Sequence, residues 1–122
     1  MKMTTRLLLV TAWLLAAQAS AQDPVKLSPT MYTVLLDNPQ VRVLEFHAKP
    51  GEKEPMHSHP AAVVYMLTAG KATFLTADGK SEEREWKAGT AIWSDPTTHA
   101  YQYVGPTEGR VLIVELKGGT KQ

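Results

Sequence analysis

Beyond residue 30 the chain alternates short apolar windows with clusters of turn-forming residues. Seven windows carry β-branched, aromatic and aliphatic residues: Met31–Leu36, Val41–Phe46, Ala61–Thr68, Ala72–Ala77, Thr90–Trp93, His99–Val104 and Arg110–Leu116. The longest stretch there without glycine or proline is Gln40–Lys49, ten residues. Since a mean helix needs about 11 to 12 residues, the pattern predicts an all-β fold, an antiparallel sandwich or barrel. Asp78-Gly79, between two windows, predicts a tight hairpin whose positive φ angles this pair supplies. Ala61–Leu67 (AAVVYML) and Val111–Val114 (VLIV) are apolar at consecutive positions, which predicts central strands covered on both faces. A second sheet on one side and a partner subunit on the other would provide that cover, so a homodimer is expected. The window from Val41 alternates less cleanly, with Glu45 and His47 sharing a face with Val41 and Val43. Which of its faces points inward stays open at this stage.

The start of the chain follows another rule. Lys2 and Arg6 precede the apolar run Leu7–Ala17, and Ala19-Ser20-Ala21 ends the segment. That order of charge, apolar run and small residues predicts a secretory signal peptide over residues 1–21, cut after Ala21. Its length of 11 residues falls short of the roughly 20 that span a bilayer. A periplasmic or secreted protein, free of the membrane after cleavage, is therefore expected. Residues 22–30 (QDPVKLSPT) read as a flexible N-terminal tail, 31–117 as one domain and 118–122 as a C-terminal tail.

Composition sharpens this division. All 8 glycines and 8 prolines lie after residue 22, so the expected mature chain is densely punctuated. Cleavage would leave 101 residues with 11 basic and 12 acidic side chains, where the full chain carries a net charge of +1. Neither balance supports nucleic-acid binding, which needs a strongly basic face. A domain of that size buries a sufficient core with little margin, and pairing would help it. The chain has no cysteine, which excludes disulfides, thiolate nucleophiles and Cys-ligated zinc. Any metal site must then use histidine and oxygen ligands.

Met56-His57-Ser58-His59-Pro60 holds two of the four histidines. Residues two apart on a strand face the same way, so both imidazoles can converge on one point. Two such rings supply half of a tetrahedral set of nitrogen donors, although paired surface histidines beside a turn are common. His99, after Asp95-Pro96-Thr97-Thr98, is the third candidate if its strand lies beside the first two. Periodicity alone does not place it there. Glu52 and Glu54, in the turn before the pair, read as solvated turn charges, as Glu82-Glu83-Arg84-Glu85 reads as an exposed strand face. His47 reads as a surface or rim residue.

These residues resemble the two motifs of the cupin superfamily, small double-stranded β-helix barrels also called jelly rolls. Gly51, five residues, His57-Ser58-His59 and the closing Gly70 match the first motif; Gly89, Pro96 and His99 match elements of the second. His99 falls one residue early after Gly89, and Tyr103 stands where the motif has Asn. The resemblance covers about residues 31–117 and implies a single cupin domain with a metal pocket. It implies His57, His59 and His99 as ligands of a divalent metal ion, with zinc, iron, copper, nickel and manganese all open. The motif's glutamate ligand falls on Val63 or Val64, and neither can bind a metal. Without that carboxylate a bound ion keeps more of its charge, which strengthens its Lewis acidity and lowers the pKa of a bound water.

Around the pocket, strand parity nominates Tyr65, Tyr101 and Tyr103, with Trp93 on the preceding strand, although such aromatics more often fill a core. The resemblance implies that the domain holds or acts on a small organic molecule, with dioxygenase and isomerase chemistry both known in the family. The alternative is a non-enzymatic module that binds a metal or small ligand. A purely structural barrel is the third reading. No paired carboxylates or phosphate-cradling glycine loop points to other chemistry.

Overall fold

The computed structural model describes residues 22–118. The expected signal peptide, and the C-terminal tail from residue 119, lie outside the described residues. Within them are nine strands and one short helix. In chain order these are α1 (Pro24–Leu27), β1 (Tyr32–Asp37), β2 (Val41–Ala48), β3 (Lys53–His59), β4 (Ala62–Met66), β5 (Gly70–Thr76), β6 (Ser81–Trp86), β7 (Ala91–Ser94), β8 (Thr97–Tyr103) and β9 (Gly109–Leu116). Every pairing is antiparallel. The strands form a five-stranded sheet in the order β1-β2-β9-β4-β7 and a four-stranded sheet in the order β3-β8-β5-β6. The crossing between sheets after nearly every strand gives a jelly roll.

The windows read from the sequence correspond to β1, β2, β4, β5, β7, β8 and β9. β3 and β6 need no apolar window because each lies at an edge of the four-stranded sheet. Five of the six β6 residues are exposed, and their charges discourage pairing with another chain. β3 tolerates Pro55 for the same reason, beside a register shift between Glu54 and His57. The Asp78-Gly79 hairpin forms, but only Gly79 takes a positive φ, +86°. Thr76 N–H donates to Lys80 O (2.8 Å), which closes a loop longer than the two-residue turn.

The core lies between the sheets. On β2, Leu44, Phe46 and Ala48 point inward with Arg42; on β9, Val111 and Ile113 point inward with Glu115. The face of β2 left open by the sequence is thereby settled, with Val41, Val43, Glu45 and His47 outside. Met66 from β4 and Tyr101 and Tyr103 from β8 complete the packing. Phe46 meets Tyr101 edge to face at 5.4 Å, joining the two sheets.

Residues 22–30, expected as a flexible tail, are packed against the barrel. Asp23 caps α1 by accepting from Val25 N–H (3.0 Å), and both Pro24 and Ser28 are buried. The Gln22 carbonyl accepts from Ser58 N–H at 3.0 Å and so covers part of the open edge of β3. Sequence reading missed this because the segment is short, polar and proline-rich; its anchoring comes from tertiary partners.

Candidate metal centre

His57 and His99 are direct partners across the β3–β8 ladder, and His59 lies two residues further along, opposite Thr97. Their rings face one another at centroid distances of 4.8 Å (His57–His59), 4.7 Å (His57–His99) and 5.5 Å (His59–His99). One ligating nitrogen from each lies within 4.8 Å of the others. The three histidines selected by spacing therefore meet at one point.

Hydrogen bonds prepare two of them to coordinate. His57 Nδ1 lies 2.8 Å from the Pro55 carbonyl, an acceptor, so Nδ1 carries the proton and Nε2 has a free lone pair. That Nε2 is buried and has no hydrogen-bond partner within the protein. His59 Nδ1 lies 3.1 Å from Glu115 Oε2, which leaves its Nε2 free in the same way. Buried polar atoms are nearly always paired, so an unpartnered imidazole nitrogen facing two others fits a metal ligand. Burial also favours the neutral rings of His57 and His99, as coordination requires. His57 is pushed down to about 4, mainly by burial and further by His59, against the pull of the Pro55 hydrogen bond. His99 is pushed down to about 3 by burial and by the charges of His57, His59 and Arg84.

The cluster opens on a cavity of about 590 Å³ between the sheets. Phe46, Met66, Phe74, Ile113 and Tyr101 make its walls apolar, while Arg84, Glu85 and Lys87 also line it. Arg84 lies over the Phe74 ring at 4.9 Å. β6, read as a solvated charged face, thus contributes two charges to the cavity. Val64 lines the cavity too, and Val63 points to the opposite side of the sheet. Where the motif glutamate would enter, this chain presents an isopropyl group.

Glu54 departs most from expectation. Read from the sequence as a solvated turn charge, it is 4% exposed and lines the cavity. Its Oε1 has no hydrogen-bond partner and lies 3.9 Å from His57 Nδ1, on the ring edge away from Nε2. Burial pushes its carboxyl up to about 7, partly opposed by a hydrogen bond from Tyr32. Burial, reinforced by Glu54, also raises the Tyr32 and Tyr101 hydroxyls, so both remain protonated donors at neutral pH.

The aromatic candidates separate. Tyr101 lines the cavity, but Tyr103 is fully buried beneath Trp86 and is absent from the lining. Tyr65 and Trp93 sit on the outer face of the five-stranded sheet, away from the cavity. The parity count from His59 to Tyr65 fails at Pro60, where β3 ends and β4 begins in the other sheet. His47 lies outside, bonded to Glu108 at 2.9 Å. Glu115 and Arg42 were missed, yet each shares strand parity with core residues (Val111 and Ile113; Leu44 and Phe46). A charge on the apolar face of a strand was the available signal.

No protein-family model and no curated protein matches this sequence. Solved structures do match. A cupin domain from Bordetella pertussis is 26% identical, with a TM-score of 0.65 over 71% of this chain and 92% of that one. A conserved protein with a double-stranded β-helix domain from Klebsiella pneumoniae is 24% identical, with a TM-score of 0.58 over 74% and 78%. The polyketide cyclase RemF from Streptomyces resistomycificus is 22% identical, with a TM-score of 0.53 over 71% and 64%. With this topology, the paired motifs on β3 and β8 and these neighbours, the chain belongs by fold to the cupin superfamily.

Proposed function

We propose that this protein is an exported cupin that holds one divalent metal ion through His57, His59 and His99 and uses it to engage a small organic molecule. The observation that carries this reading is the unpartnered, buried Nε2 of His57 facing two further imidazoles at the end of an apolar cavity. A bound divalent ion would supply Lewis acidity toward an oxygen of that molecule. The remaining work falls to the chain. Apolar walls line the cavity, the Tyr101 hydroxyl offers a hydrogen bond, Tyr32 donates to Glu54, and the Glu54 carboxyl accepts or returns a proton. An acid–base group in this position favours proton-transfer chemistry of the isomerase kind over dioxygen chemistry. One neighbour of the same fold is a polyketide cyclase, a precedent for small-molecule chemistry in this barrel.

Elemental analysis of protein purified without chelators tests the metal. About one equivalent is expected, falling to background in His57→Ala and His59→Ala; no metal in the unaltered protein overturns the reading. Glu54→Gln is expected to keep the metal and lose turnover on enolisable carbonyl compounds. Bound metal without turnover on any such compound supports the second reading, a non-enzymatic binding module, which the replacement of the motif carboxylate by Val64 favours. The periplasm or the medium, and a homodimer, belong to the same proposal. Fractionation of the native host, with intact mass for cleavage after Ala21, checks the first.

A further inference from the structure

We infer that the N-terminal strap, Gln22–Ser28, is a working part of the histidine site: Asp23, acting through Arg42 and Glu115, holds His59 in the tautomer that leaves Nε2 open. This builds on the reading of the cluster as a metal site.

The relay is continuous. Asp23 receives the Arg42 guanidinium at both oxygens, from Nη1 at 2.8 Å and Nη2 at 3.0 Å. Arg42 Nε donates to Glu115 Oε1 at 2.7 Å, and Glu115 Oε2 accepts from His59 Nδ1 at 3.1 Å. Arg42 and Glu115 are direct partners across the β2–β9 ladder, and Glu115 is only 2% exposed. The strap itself is tied down by buried Pro24 and by the Gln22 carbonyl on Ser58, the residue between the two motif histidines.

Donor and acceptor chemistry gives the relay a direction. A guanidinium has only N–H donors and an ionised carboxylate only acceptors, so each link fixes the next. Asp23 takes one N–H from each Nη and so holds the guanidinium at the angle where its Nε meets Glu115 Oε1, while Oε2 remains turned to His59. Without Asp23, the guanidinium is free to swing onto Glu115 as a two-pronged fork and draw Oε2 from the imidazole. Asp23 is thus a positioning residue for His59, reaching it through two intermediaries.

Glu115→Gln turns the same logic into a sharp test. Arg42 can only donate, so the new amide must present its oxygen to Arg42 and its NH2 to His59. His59 Nδ1 must then accept, and the proton moves to Nε2, where it blocks coordination.

Two readouts are taken on the same proteins: zinc affinity by competition with a chelating dye, and the His59 tautomer in metal-free protein by long-range 15N–1H correlation. The unaltered protein is expected to show His59 protonated on Nδ1. Glu115→Gln is expected to show it on Nε2 and to bind zinc about 100-fold more weakly; Asp23→Asn is expected to weaken zinc about 10-fold. Leu27→Ala, on the strap but outside the relay, should leave both readouts unchanged. An unchanged tautomer in Glu115→Gln, or unaltered affinity in Asp23→Asn, overturns the inference. Should Glu115→Gln fail to fold, Asp23→Asn decides it. If the unaltered protein binds no zinc, the tautomer shift still tests the relay, and elemental analysis decides the metal reading.

Discussion

At the scale of single residues, the site is built from side chains that the fold holds away from their ordinary protonation. In metal-free protein His57 and His99 sit at about 4 and 3, below the usual 6.5. The unfolded chain therefore binds their protons first on acidification. Their contribution to stability is complete above pH 6.5 and is lost as pH falls toward 4 and 3. Glu54, raised to about 7, acts oppositely: its contribution is complete below about 4.5 and is lost as pH rises through 7. Two protons against one leave a net uptake of about one on unfolding between pH 4.5 and 6.5, or about 1.4 kcal/mol per pH unit. Urea denaturation in the presence of chelator should show this slope, and Glu54→Gln should roughly double it. A flat profile would contradict the burial argument. The histidines were legible in the sequence through the resemblance to the two cupin motifs, since a His-x-His pair alone is common and periodicity does not place His99 beside it. Glu54 was not, because a register shift separates it from His57 and no periodic count survives an inserted residue.

At the scale of elements, apolar windows located the seven strands that carry alternating or continuous hydrophobic residues, while the edge strands β3 and β6 carry no such window and show only as a histidine pair and a charged strand face. β3 matters most among these, since it carries two of the three ligands; it was read from its histidines alone. Turns and close approaches were partly legible through glycine, and they differ in kind. Gly79, at φ +86° with open space where a Cβ would stand, is set by backbone conformation alone. Gly109, at the start of β9, is set by packing: a Cβ there would lie 2.6 Å from Tyr103 Cε2, on a ring that is fully buried. Gly79→Ala is expected to cost about 1 kcal/mol from the left-handed backbone. Gly109→Ala should cost about 1–3 kcal/mol, because the Tyr103 ring has nowhere to retreat. Thermal or urea unfolding would rank the two, and equal losses would indicate that the β8–β9 corner yields more readily than its burial suggests.

At the scale of the whole molecule, the five-stranded sheet has an apolar face turned away from the cavity. The register places Leu36, Val43, Val114, Val63 and Trp93 in one unbroken row across all five strands. Tyr65 and Leu112 pair in the next row, and Trp93 is 56% exposed. A row of five strands is about 19 Å wide, and soluble monomers rarely leave so continuous an apolar surface in water. The four-stranded sheet offers no equivalent, since β6 at its edge is charged. A second copy of the chain is the occupant we expect, because a two-fold axis lets one apolar patch cover itself without a separate partner. The sequence already carried half of this, in the doubly apolar runs of β4 and β9; the register that joins them to β1 and β7 is a property of the fold. Sedimentation at micromolar concentration should give a dimer. Trp93→Glu combined with Val63→Lys should give a monomer that still binds metal, since both side chains point away from His57, His59 and His99. A monomeric parent protein would show that this face stays open, and loss of metal from the double variant would show that the two faces of the sheet are coupled.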